Sequence, residues 1–241
     1  MRIAVSSSSF REPLEARTLT QLEWIERCAT LLGADGVVFD TAHFPRTDAE
    51  YAAQLRKMTI DLGMVPFGLD CSTLLEPSAA AEARDTVLAL AATLGAAVIR
   101  TVLPAPGAVP PSSFAEAVAA AKALSRAAKA INVTVLVAAA PGTLGEDLAG
   151  VKHLLKDVDS AWLRAVPNAL VDDAALGTRD RYPAFGATPD DDARLVVARR
   201  SGAWVILDAP PGERPWDVLG SAIAALRKAE AERRLSAGSP L

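Results

Sequence analysis

Polar residues that can move protons or hold charge recur at the ends of apolar runs in this chain. Asp40 closes Gly36–Asp40, Asp70 and Ser72 follow Val65–Leu69, Asn168 follows Trp162–Val166, and Asp208 follows Trp204–Leu207. His43 stands three residues beyond Asp40, in Asp40-Thr41-Ala42-His43-Phe44-Pro45. A carboxylate and an imidazole can take up and return a proton near neutrality, so Asp40, His43 and Asp208 are the candidate catalytic acids and bases. His43 is open to other readings, as a metal ligand or as a packing residue of its loop.

Arg100 is a permanent cation inside the run Ala97–Leu103. A guanidinium there needs an anion, either a phosphate or carboxylate ligand or an internal partner such as Asp70 or Asp40. Arg100, Asp70, Ser72 and Asn168 are therefore the candidate substrate-binding residues. Ser6–Ser8 and Thr188 belong to the same set of strand-end polar groups. A serine or aspartate just after a strand also serves as a helix cap or turn residue, and that alternative stands at each position. His153, among Val151, Lys152, Leu154 and Leu155, reads as structural.

These residues need a scaffold that brings distant strand ends together. Short apolar runs at Arg2–Ser8, Gly36–Asp40, Val65–Leu69, Ala97–Leu103, Thr134–Val137, Trp162–Val166, Tyr182–Thr188 and Trp204–Leu207 predict strands. Between them, helical spacing predicts helices over Leu19–Leu32, Asp48–Leu62, Ala79–Leu94, from Ser112 or Ser113 through Ile131, and over Leu148–Val158, Asp190–Ser201 and Pro215–Leu235. Only Asp172–Leu176 offers itself as the sixth helix, and Pro104–Pro111 reads as a proline-rich loop. Gly33, Gly63, Gly95 and Gly202 each close a helix two or three residues before a strand, a weak internal repeat.

Strands apolar on both faces and alternating with helices imply a parallel sheet covered by helices. Eight such units in 241 residues favour one closed (β/α)8 TIM barrel over the whole chain, residues 1–241. No Gly-rich phosphate loop follows the first strand, which disfavours a nucleotide-binding open sheet.

The net charge of −4 gives no basic footprint for nucleic acid, and Arg227, Lys228, Arg233 and Arg234 alternate with Glu230 and Glu232 as a solvated helix face would. No apolar run reaches the roughly 18 residues of a membrane span. Met1–Val5 enters a strand at once, unlike a signal peptide, and Cys28 and Cys71 make no disulfide framework, so a cytoplasmic location is expected. Two histidines rule out a histidine-rich metal centre.

The order of elements resembles the xylose isomerase-like TIM barrels, which include sugar phosphate isomerases and epimerases and endonuclease IV-type enzymes. The resemblance spans nearly the whole chain. It rests on Val37-Val38-Phe39-Asp40 with His43-Phe44-Pro45, on Val98-Ile99-Arg100, and on Val135-Leu136-Val137 with Pro141-Gly142-Thr143-Leu144. It implies a divalent metal held by strand-end carboxylates and a histidine, polarising a sugar carbonyl.

Matched position by position, the fifth-strand glutamate falls on Ala138 and the next two polar positions on Ala139 and Ala140. The sixth-strand aspartate falls near Asn168, the seventh-strand histidine and aspartate have no counterpart in Tyr182–Thr188, and the last glutamate falls on Asp208. No metal and no other cofactor is therefore expected.

The resemblance implies a diverged sugar isomerase or epimerase acting, if at all, on a small sugar-like or polyol-like substrate by metal-independent acid/base chemistry. The alternative is a catalytically inactive relative, either a ligand-binding module or the non-catalytic subunit of a complex with an active paralogue. Alanine-rich helices such as Ala79–Ala83 and Ala115–Ala121 would suit an oligomer interface. An endonuclease role lacks both the metal cluster and the basic face it would need.

Overall fold

The computed structural model describes residues 1–76, 81–106, 113–169, 176–177, 180–200, 202–210, 214–236 and 238. Eight parallel strands run β1 Arg2–Ser6, β2 Gly36–Asp40, β3 Val65–Asp70, β4 Val98–Val102, β5 Thr134–Ala138, β6 Leu163–Ala165, β7 Ala184–Ala187 and β8 Trp204–Leu207. Their order, β6-β5-β4-β3-β2-β1-β8-β7, is sequential around a ring. Isolated parallel bridges Ala165–Arg181 and Asn168–Gly186 join β6 to β7 and close it. This is a single (β/α)8 TIM barrel.

Helices α1 Arg11–Glu15, α2 Gln21–Thr30, α3 Ala49–Asp61, α4 Ala81–Leu94, α5 Phe114–Ala130, α6 Leu148–Val158, α7 Ala193–Arg200 and α8 Pro215–Ser236 connect and cover the strands. Capping boxes start α2 and α5: Thr20 with Glu23, and Ser113 with Glu116, satisfy amides at both ends of the first turn. The helix ends also follow the sequence pattern, with Gly33, Gly63, Gly95 and Gly202 all at positive φ, between 60° and 86°. The expected start of α4 at Ala79 and most of the expected sixth helix, Asp172–Leu176, lie outside the described residues.

Alternation along the strands splits the core in two. Ile3, Val5, Val37, Phe39, Ile99, Val135, Val205 and Leu207 pack outward under the helices. Ala4, Val38, Phe67, Val98, Leu136, Val166, Ala184 and Ile206 fill the barrel. Two residues beyond these inward positions come Ser6, Asp40, Arg100, Ala138, Asn168, Gly186 and Asp208, at the mouth. On β3 the register slips between the Val37–Pro66 and Val38–Gly68 pairs, leaving Phe67 as an extra residue. That bulge re-aims the strand so that Phe67 and Asp70 both face inward. Gly68 is required here, because a Cβ would lie 2.6 Å from Val98 Cγ2.

Candidate functional site

The mouth is organised by Arg100. Its Nε and Nη2 donate to Asp70 Oδ1 and Oδ2, both at 2.6 Å, and its Nη1 and Nη2 donate to Asp208 Oδ2 and Oδ1 at 2.5 and 2.8 Å. Both partners are thus gripped in fork geometry, the strongest form of guanidinium–carboxylate contact. Asp70 is the neighbour of Arg100 in strand register, whereas Asp208 comes from the opposite wall of the ring.

The serine run fastens this cluster to the scaffold. Ser6 Oγ donates to Asp70 Oδ2 at 2.7 Å, and Ser8 Oγ donates to Asp208 Oδ1 at 3.2 Å. Ser7 Oγ accepts the Asp40 amide at 2.7 Å, and Ser9 Oγ accepts the Ala209 amide at 2.8 Å. Four consecutive hydroxyls therefore tie β1 to β2, β3 and β8.

Burial pushes the Asp70 carboxyl above its ordinary range, and the nearby Asp208 charge adds to this while Arg100 and Ser6 work in the opposite direction. Burial also works against the charge of Arg100. The two aspartates more than offset it, and the guanidinium is held well above its usual value, a fixed cation.

A cavity of about 470 Å³ opens beside this cluster, on the β5 to β8 side. Arg100 and Asp208 form one wall, Ala138 and Ala139 continue β5, Glu146–Leu148 enter α6, and Val166–Asn168 and Gly186–Thr188 extend β6 and β7. The turn before α6 is built to place that entry. Gly142 has φ +74°, Thr143 Oγ1 donates to Ala140 O at 2.8 Å, and Leu144 N donates to Pro104 O at 2.9 Å.

The structure divides the sequence candidates. Arg100, Asp70 and Asp208 meet in the ion cluster, and Asn168 lines the cavity with Arg100 and Asp208. Asp40 and His43 form a separate pair outside the cavity lining. Asp40 Oδ1 accepts the Ala42 amide at 2.9 Å, and Oδ2 lies 3.8 Å from His43 Nε2, whose ring is buried. Ser72 is exposed and does not line the cavity. His153 is exposed, stacked on Phe114 and beside Asp157.

Sequence reasoning missed Glu146 and Asp147 on the cavity wall. The visible signal was Asp147 as the residue preceding an apolar helical run, and Asp147 Oδ1 does cap α6 at Gly150 N, 2.9 Å away.

No protein-family model matches the chain, and no curated protein matches it by sequence. Solved structures do match. The probable 3-DHS dehydratase AsbF of Bacillus anthracis superposes with TM-score 0.73 at 15% identity, covering 94% of this chain and 99% of that one. A xylose isomerase domain protein of Alicyclobacillus acidocaldarius gives 0.67 at 12% identity, covering 96% and 98%. The chain shares the TIM-barrel fold of these proteins. D-psicose 3-epimerase of Clostridium cellulolyticum, solved with D-tagatose, gives 0.65 at 13% identity over 99% of each chain.

The divalent metal implied by this fold resemblance does not fit the donors present. Ala138 to Ala140 carry no side-chain oxygen. Both Asp208 oxygens are engaged by a cation, so a metal there would meet like charge instead of open carboxylate. Among the described residues no group of three or more histidine, cysteine, aspartate or glutamate side chains is placed to hold a metal.

Proposed function

We propose that this barrel is a small-molecule receptor on a sugar isomerase/epimerase-like scaffold, binding a polyhydroxylated ligand in the strand-end cavity without metal-dependent turnover. The Arg100–Asp208 fork carries the reading. It occupies the one acid that the family pattern retains, engaging both of its carboxylate oxygens through charge-assisted hydrogen bonds, so neither oxygen is left open to a metal or a substrate proton. The cavity volume lies in the range of small-ligand sites, and its mix of apolar wall and convergent polar groups suits a sugar-sized molecule. The structural neighbour solved with D-tagatose supports the ligand class by analogy of fold.

Calorimetric titration with neutral hexoses, pentoses and polyols in the presence of a chelator tests this. Saturable binding without turnover is the expected result. Absence of binding across the panel would overturn it.

A second reading is favoured by Asp208 and Glu146 lining the same cavity. Two carboxylates could shuttle a proton between adjacent carbons without metal, and isomerase activity that survives chelation would establish it. A complex with an active paralogue fits the receptor role equally, and co-purification at fixed stoichiometry is its test. The free thiols of Cys28 and Cys71 support a reducing, cytoplasmic setting, and no described helix is long and apolar enough to cross a membrane.

A further inference from the structure

Among the described residues, Arg100, the N-terminus of α6 and the Thr188 amide have the chemistry to receive an anion at this mouth, and each is already bound to a carboxylate of the chain. Arg100 spends four of the five N–H groups of a guanidinium on Asp70 and Asp208. The N-terminus of α6, an ordinary phosphate receptor, is capped by Asp147 at Gly150 N. The Thr188 amide donates to Asp191 Oδ2 at 2.8 Å. An incoming phosphate would have to displace an internal carboxylate at every one of these points.

The cavity wall, meanwhile, carries Arg100 against Glu146, Asp147 and Asp208. Among the described lining residues two negative charges are in excess before Asp70, behind Arg100, is counted. Glu146 makes no hydrogen bond or ion pair with the described residues, and its carboxylate is exposed on that wall.

We propose that the cavity selects an amine-bearing polyol over its neutral parent, and the neutral parent over its phosphate ester. This rests on the receptor reading above and names the charge class of its ligand. An ammonium gains from the excess carboxylate charge, Glu146 above all, whereas a phosphate meets like charge beside donors that already hold internal carboxylates. One favourable charge contact of this kind corresponds to roughly a tenfold change in affinity.

Titration of the intact chain with sorbitol, 1-amino-1-deoxysorbitol and sorbitol 6-phosphate at neutral pH decides the matter. The expected order is the amine about tenfold tighter than sorbitol, with the gap closing at high salt, and the phosphate weakest. Glu146→Gln should narrow the amine-to-sorbitol ratio severalfold, a readout independent of absolute affinity. Sorbitol binding with no advantage for the amine, or with the phosphate equal or tighter, overturns this proposal and leaves the receptor reading standing. Failure of all three ligands overturns this proposal, and failure across the wider panel of hexoses, pentoses and polyols overturns the receptor reading as well.

Discussion

Arg100 and Asp208, 108 residues apart, reach across the barrel mouth from opposite walls and hold each other through two hydrogen bonds of 2.5 and 2.8 Å. With Asp70 on the other edge of the guanidinium, the contact makes one partly buried cation the common partner of β3, β4 and β8. Charged groups withdrawn from water stabilise only while every partner is present.

Removing the cation alone should therefore be costly. Arg100→Met is expected to lower unfolding free energy by about 3–5 kcal/mol, because it strands two carboxylates. The triple variant Arg100→Met, Asp70→Asn, Asp208→Asn should recover most of that loss. Urea denaturation reads both, and an Arg100→Met protein as stable as the parent would refute the account.

The raised Asp70 carboxyl gives a pH signature of defined sign. Its folded form holds a proton above the pH at which the unfolded chain releases it, so its contribution to stability falls as pH rises between the unfolded and folded values. Asp70→Asn lacks that loss. The stability of Asp70→Asn relative to the parent should thus rise with pH from about 4 upward until Asp70 is ionised in the fold. A relative stability that falls over the same interval would show that Arg100, not burial, dominates.

Ser9 offers a test of the serine run away from charge. Ser9→Ala leaves the buried Ala209 amide without its acceptor and should cost about 1–3 kcal/mol. Thermal denaturation measures it. An unchanged melting temperature would mean that the β1–β8 tie contributes nothing.

Metal content is the most direct check on the alanine-lined β5 end. Elemental analysis of protein purified without added metal should find well below one equivalent of any divalent ion, and a chelator should leave the melting temperature unchanged. Stoichiometric zinc, manganese or magnesium would overturn the conclusion that the donors do not fit.

Much of the scaffold was legible because its signals are local. A glycine that must adopt positive φ at Gly33 or Gly95, followed by a wholly apolar run, states a helix end and a buried strand within ten residues. The strands flanking the seam were harder. Of Trp162–Val166 only Leu163–Ala165 is a strand, and of Tyr182–Thr188 only Ala184–Ala187, since short strands joined by isolated bridges leave little pattern to read.

The site was legible in part. Arg100 announced its need for an anion, and Asp70 was among the partners considered. Asp208 was not, because a pairing across the ring leaves no trace in sequence spacing. The acids Glu146 and Asp147 were hidden by resembling an ordinary helix start.

The seam between β6 and β7 has one more consequence. Its bridge residues Asn168 and Gly186 are also cavity wall, so the arc of the ring with the fewest rungs is the arc against which a ligand would lean. An occupant there would act as a keystone, and its arrival should be felt first as slower hydrogen exchange at the Ala169 and Gly186 amides, which cross that joint to Gly186 O and Pro167 O.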